Sequence, residues 1–165
     1  MSFRFVSSAV DNAGFLPSWY SRLRNDSSPP AGWAEAPEGT KSIVIICEQL
    51  SGETRICHWV LFNVPPEPTT IYGGLPKEPD LPRGAVHGTN SFGVPGWTGP
   101  GFASEGIVLV FTGYALSSLL PLPSGASVEA VRTAMQGRLL ARCEFSGRYV
   151  SRQSFVELLE GAEER

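Results

Sequence analysis

The run Ser42-Ile43-Val44-Ile45-Ile46-Cys47 is continuously apolar and β-branched from Ile43 to Ile46. A half-exposed strand must alternate, whereas a strand covered on both faces need not. The run therefore predicts a strand in the middle of a sheet. Cys57 to Val64, reading CHWVLFNV, is a second run of the same kind and is closed by Pro65-Pro66. The connection from Cys47 to Cys57 includes Ser51-Gly52, which permits antiparallel pairing of the two. On this reading His58 enters at the beginning of a buried strand.

Other segments supply the remainder of a mainly β fold. Phe3, Phe5 and Ser7 alternate with Arg4, Val6 and Ser8, and Asn12 to Gly14 supplies turn chemistry, so a first strand ends near Ser8. Leu16 to Gly39 is punctuated by Pro17, Pro29, Pro30, Gly32, Pro37 and Gly39, which argues for a long loop pinned by Trp19 and Trp33. Residues 65–106 form a second Gly/Pro-rich stretch, of the kind that usually makes lids or binding loops. Ile107 to Tyr114 reads as a strand with Leu109, Phe111 and Gly113 on one face. Ser127 to Met135 reads as a short amphipathic helix with Ser127 as N-cap and Gly137 as its stop. Leu139 to Phe145 alternates like a last strand, and Ser154 to Glu163 suits a terminal helix. The expected organisation is one domain over residues 1–165, with a core at 3–150 and a helical extension at 151–165.

Eighteen glycines and fourteen prolines agree with many turns and few long helices. A formal charge of −3 without a dense Lys/Arg cluster argues against nucleic acid as a partner. Met1 to Val10 is not a basic-then-apolar leader, and no run is long enough to insert in a membrane, so a cytoplasmic protein is expected. Cys47, Cys57 and Cys143 lack metal spacing and suit reduced, buried thiols. Neighbours on a strand point to opposite faces, so His58 is not placed to activate Cys57. No nucleophile elbow, phosphate loop or metal cluster is present, and no cofactor is expected.

Ser28-Pro29 with Trp33, Pro37 to Ser42, His58-Trp59-Val60 with Asn63 and Pro65, and Gly88 to Gly93 follow one another in order. Gly96 to Pro100, Val110-Phe111-Thr112 through Leu116, and Gly147-Arg148-Tyr149 continue the series. In this collinear order the chain resembles the bacterial branch of the phosphatidylethanolamine-binding protein (PEBP) family over roughly residues 3 to 150. The resemblance implies two packed antiparallel sheets, a few peripheral short helices, and a small pocket at one end of the central sheet. It also allows a homodimer.

In that family an Asp-Pro-Asp-x-Pro segment, a His-Trp pair and a Gly-x-His-Arg segment hold phosphate or another small anion. Here His58-Trp59 is kept, but Cys47 to Gly52 reads CEQLSG, with Gln49 on or near the first Asp position. Ile107 and Val108 stand where His and Arg are found. An anion held against Ile and Val loses solvation worth several kcal/mol, so the pocket is expected to suit a neutral organic molecule.

His58 is the candidate acid, base or donor to a carbonyl, since imidazole titrates near neutrality. Glu48 or Gln49 would orient it; the alternative for both is a solvated strand end. Trp97, Pro100, Phe102, Ile107 and Val108 would shape the ligand. Tyr72 and His87 either reach the same cavity or are ordinary loop residues. The expected function is a small-molecule pocket, as a cofactor-free cyclase or isomerase in specialised metabolism. The alternative is a non-catalytic module that binds a ligand or regulates kinases or proteases.

Overall fold

The structure, a computed structural model, describes residues 2–51, 53–103 and 106–151. Its strands are β1 (Arg4–Val6), β2 (Ala31–Ala34), β3 (Ser42–Ser51), β4 (Thr54–Val64), β5 (Thr70–Ile71), β6 (Val86–His87), β7 (Ile107–Leu116) and β8 (Leu139–Tyr149), with helix α1 (Val128–Met135) between the last two. Five strands form an antiparallel sheet in the order β6-β4-β3-β7-β8, and β1-β2-β5 form a smaller antiparallel sheet. The Ile43–Ile46 run lies in the middle strand of the larger sheet, and both of its faces are covered.

The inner face carries Ile43, Ile45, Cys47, Trp59, Leu61, Leu109 and Phe111, packed with Phe5 and Trp33 of the small sheet. The outer face carries Val44, Ile46, Cys57, Val60 and Phe62, packed with Val131 and Met135 of α1. The side chain of Ser127 caps α1 by accepting from the Ala130 amide at 3.1 Å. Gly137 then ends the turn at φ 81°, a backbone conformation suited to glycine.

The two sheets pack tightly where Phe5 of β1 lies over Gly113 of β7. A Cβ on residue 113 would stand 2.6 Å from Phe5 Cγ and 2.7 Å from Cδ1. The Phe5 ring is itself buried and cannot swing away. Gly113→Ala should therefore cost about 1–3 kcal/mol by overpacking, which urea unfolding would measure. An unchanged midpoint would show that the sheets part more easily than this contact implies.

The stretch from Leu16 to Gly39 is more regular than its prolines suggest. It contains a 3-10 turn at Ser18–Tyr20 and the strand β2, which pairs with β1 so that Phe5 faces Trp33. Ala31 and Trp33 are buried and Gly32 and Ala34 half-buried, a pattern of four residues too short to stand out between turn residues. Trp33 fastens the segment, donating from Nε1 to the Pro66 carbonyl at 3.0 Å. Trp19 does not share this task, being 55% exposed. The helix expected at Ser154 to Glu163 lies outside the described residues.

Candidate functional site

The ladder between β3 and β4 has two irregularities, one of them at His58, which is the fifth residue of β4 and not, as expected, its opening. Cys47 pairs with Trp59 and the next residue, Glu48, pairs with Cys57, so His58 is an extra residue in β4. Such a bulge leaves one residue unpaired and re-aims side chains. Cys57 stays with the outer cluster and Trp59 with the inner one. His58 joins Trp59 on the inner side, where both rings meet Trp97, at centroid separations of 6.2 and 5.9 Å. Cys57 and His58 thus lie on opposite faces, and burial pushes the Cys57 thiol up to about 12.

His58 is clamped reciprocally to Thr98. The Thr98 amide donates to the His58 carbonyl at 3.0 Å, and Nδ1–H of the ring donates to the Thr98 carbonyl at 2.6 Å. Because a carbonyl only accepts, Nδ1 carries the proton and a neutral ring presents a lone pair at Nε2. Oε1 of Gln49 lies 3.1 Å from that nitrogen. A half-turn of the Gln49 amide exchanges oxygen for NH2 at almost the same shape and supplies the donor that Nε2 needs. The ring stays neutral mainly because burial pushes its pKa below the ordinary histidine value. Arg22 adds to that effect, while the Thr98 carbonyl and Asp26 oppose it.

Residues 90–101 roof this end of the sheet. Asn90 organises the turn, donating to the Gly96 carbonyl and Thr98 Oγ1, both at 2.9 Å, and accepting from the Phe92 amide at 2.9 Å. Phe92 sits 5.6 Å from the imidazole and carries the Arg22 guanidinium 4.8 Å above its own centroid. The roof is zipped to residues 20–26. Trp97 Nε1 donates to the Tyr20 carbonyl at 2.9 Å, Arg22 Nη1 donates to Gly99 O at 3.0 Å, and Asp26 accepts from the Gly99 amide at 2.7 Å. Only glycine fits at position 99, since a Cβ there would stand 2.1 Å from the Tyr20 carbonyl oxygen.

The expected site residues divide into two groups. Gln49 reaches His58, and Ile107 packs on the inner face beside the same cluster. Trp97 and Pro100 are buried in the roof, and Phe102 is exposed in the loop beyond it. Glu48 goes elsewhere: from the outer side it pairs with Arg132 of α1 and, at 3.7 Å, with Arg55. Val108 alternates with Ile107 and projects from the outer face, 45% exposed. Of the two family positions now aliphatic, only Ile107 shares a face with His58.

His87 has its own partners, with Nδ1–H donating to the Glu78 carbonyl at 2.8 Å and Nε2 accepting from Trp59 Nε1 at 3.1 Å. Tyr72 is 87% exposed and stands near the far end of β4. Sequence reasoning overlooked Arg22, Asp26 and Tyr149. Tyr149 pairs with Ile107 across the β7–β8 ladder and belongs to the inner row that includes Gly147. The residue is fully buried, yet its hydroxyl has no hydrogen-bond partner among the described residues.

Both histidines have pKa values lowered mainly by burial. As pH falls below about 6.5, the unfolded histidines take up protons that the folded ones refuse. The unfolded state is then favoured, and stability declines until the lowered folded values are reached. Urea midpoints at pH 7.5, 6.5 and 5.5 should fall in that order. Equal midpoints would mean that at least one ring is charged in the folded protein.

Comparison with known proteins gives a consistent result. A family model described as phosphatidylethanolamine-binding protein matches residues 6–150. A UPF0098 protein of Methanothermobacter thermautotrophicus is 36% identical over 142 residues, covering 86% of this chain and 94% of its own. Another from Aquifex aeolicus is 33% identical, covering 87% and 85%. Among solved structures, Escherichia coli YbcL, described as a member of the mammalian PEBP family, superposes with a TM-score of 0.80 at 25% identity, covering 91% of this chain and 99% of its own. A Chlamydia trachomatis PEBP homologue gives 0.79 at 26% identity, covering 90% and 97%.

Proposed function

The chain belongs to the phosphatidylethanolamine-binding protein family, and on that premise we propose that it binds a small uncharged organic molecule at the His58 end of the sheet. The observation that carries this reading is the inner face beside a neutral imidazole, where Gln49 pairs with Leu109 and, two residues along β7, Ile107 pairs with Tyr149. It holds no fixed positive charge. An anion placed there gives up hydration without meeting a cation, whereas a carbonyl or lactone oxygen needs a single donor. The Tyr149 hydroxyl, buried and without a partner among the described residues, becomes such a donor once a ligand displaces the packing that seals it. Arg22, at the rim, is already engaged by Gly99 and the Phe92 ring.

A cofactor-free cyclase or isomerase would use the same end of the sheet, and one that works by proton transfer also needs a proton donor or acceptor facing the ligand. Both nitrogens of His58 are engaged, by Thr98 and Gln49. The geometry therefore favours binding over proton transfer. The protein in this reading works as a single cytoplasmic unit with reduced cysteines.

Native mass spectrometry with γ-decalactone and inorganic phosphate as probes tests the proposal. The wild-type protein should retain the lactone and not phosphate. Tyr149→Phe should weaken lactone binding about fivefold, the worth of one hydrogen bond. Ile107→Arg should exchange the preference. Tighter binding of phosphate than of lactone by the wild type would overturn the reading.

A further inference from the structure

A recess lies at the other end of β4 from His58, six residues along the strand, or about 20 Å. Its volume is about 320 Å³, within the range of sites that take small organic molecules. Leu61, Val64, Ile71, Leu75 and Leu81 make its walls, and the lining is predominantly apolar. Pro65, Pro68 and Pro82 stiffen the rim. None of these residues takes part in the His58 site.

One cation lines the recess: Arg83. The residue is exposed and held at φ 63°, ψ 25° between Pro82 and a left-handed Gly84. Non-glycine residues are uncommon in that region, and such outliers cluster at ligand clamps. No ion pair or hydrogen bond involves its guanidinium among the described residues, although Glu78 and Asp80 are close in sequence. An apolar chamber with one unpaired guanidinium at its edge matches an amphipathic anion, whose tail fills the chamber while its head takes the planar fork.

We propose that this recess binds a small monocarboxylate with a hydrocarbon tail, Arg83 gripping the carboxylate. The walls exclude a polar anion such as phosphate, which has no apolar surface to bury. The proposal is independent of the His58 reading, and either can fail alone.

Backbone amide NMR with three probes of equal tail length tests it: octanoate, octan-1-ol and octylammonium, each below its micellar concentration. Octanoate should shift the amides of residues 70–72, 75 and 83–85 and leave those of 92–102 in place. Octan-1-ol should bind at least tenfold more weakly and octylammonium more weakly still. Arg83→Ala should reduce octanoate affinity about tenfold, and Arg83→Glu should abolish it without lowering Tm, since the side chain is exposed. The proposal falls if octan-1-ol and octanoate bind alike, if Arg83→Glu is without effect, or if the shifts map to 92–102.

Discussion

Trp59→Ala is expected to lower the unfolding free energy by about 5 kcal/mol, close to the whole stability of many domains this size. Two losses combine. Removing a buried indole leaves a cavity worth about 3–5 kcal/mol, and Trp59 is only 1% exposed within the inner cluster. The indole N–H is also the donor to Nε2 of the buried His87. Without it that lone pair is stranded, at about 1–3 kcal/mol. Trp59→Phe keeps most of the ring and should show chiefly the second loss, and adding His87→Leu should recover part of it by removing the stranded group. Urea unfolding of the three variants separates the terms. A Trp59→Ala protein within 1 kcal/mol of wild type would mean that neither contact has the weight assigned to it.

Gln49→Glu is expected to make His58 markedly easier to protonate. The amide lies 3.1 Å from Nε2, and a carboxylate there would favour the imidazolium by at least about tenfold in proton affinity. The pH dependence of stability should change with it. In the wild type the ring's lowered pKa makes folding more favourable as pH rises. In the variant the carboxylate raises the folded pKa toward or above the unfolded value, which flattens or reverses that dependence. His87 is unchanged, so the two slopes differ by the contributions of His58 and of the new carboxylate. Imidazole proton NMR reports the titration directly. If the variant's His58 resonance titrated no higher than that of the wild type, Gln49 would not be the residue facing the ring.

Much of the architecture was legible because burial leaves a compositional mark. The Ile43–Ile46 run and the Cys57–Val64 run announce the central pair, and Ser127 with Val131 and Met135 announces the helix. Glu48 and Gln49 were not separable, since adjacent residues at a strand end differ only in which face they take, and register decides that. Gln49 took the inner face and Glu48 the outer, toward Arg132. The Ile107 and Val108 pair divides for the same reason. Arg22 and Asp26 reach the site through contacts more than seventy residues distant in sequence, to Gly99. No local pattern encodes such a meeting. The turns and prolines around them disclosed only that the segment is irregular.

The unpaired residue of β4 bears on how this end of the protein can change over time. Cys57 and Trp59 already face consecutive partners, Glu48 and Cys47, and already lie on opposite sides of the sheet. Loss of the single codon for His58 would therefore remove the irregularity between Cys47 and Glu48, with the other pairings of β3 and β4 kept and no interior side chain turned outward. A lineage could shed its imidazole by one in-frame deletion and keep its scaffold, an exit that is closed wherever a site residue occupies a regular position in its strand.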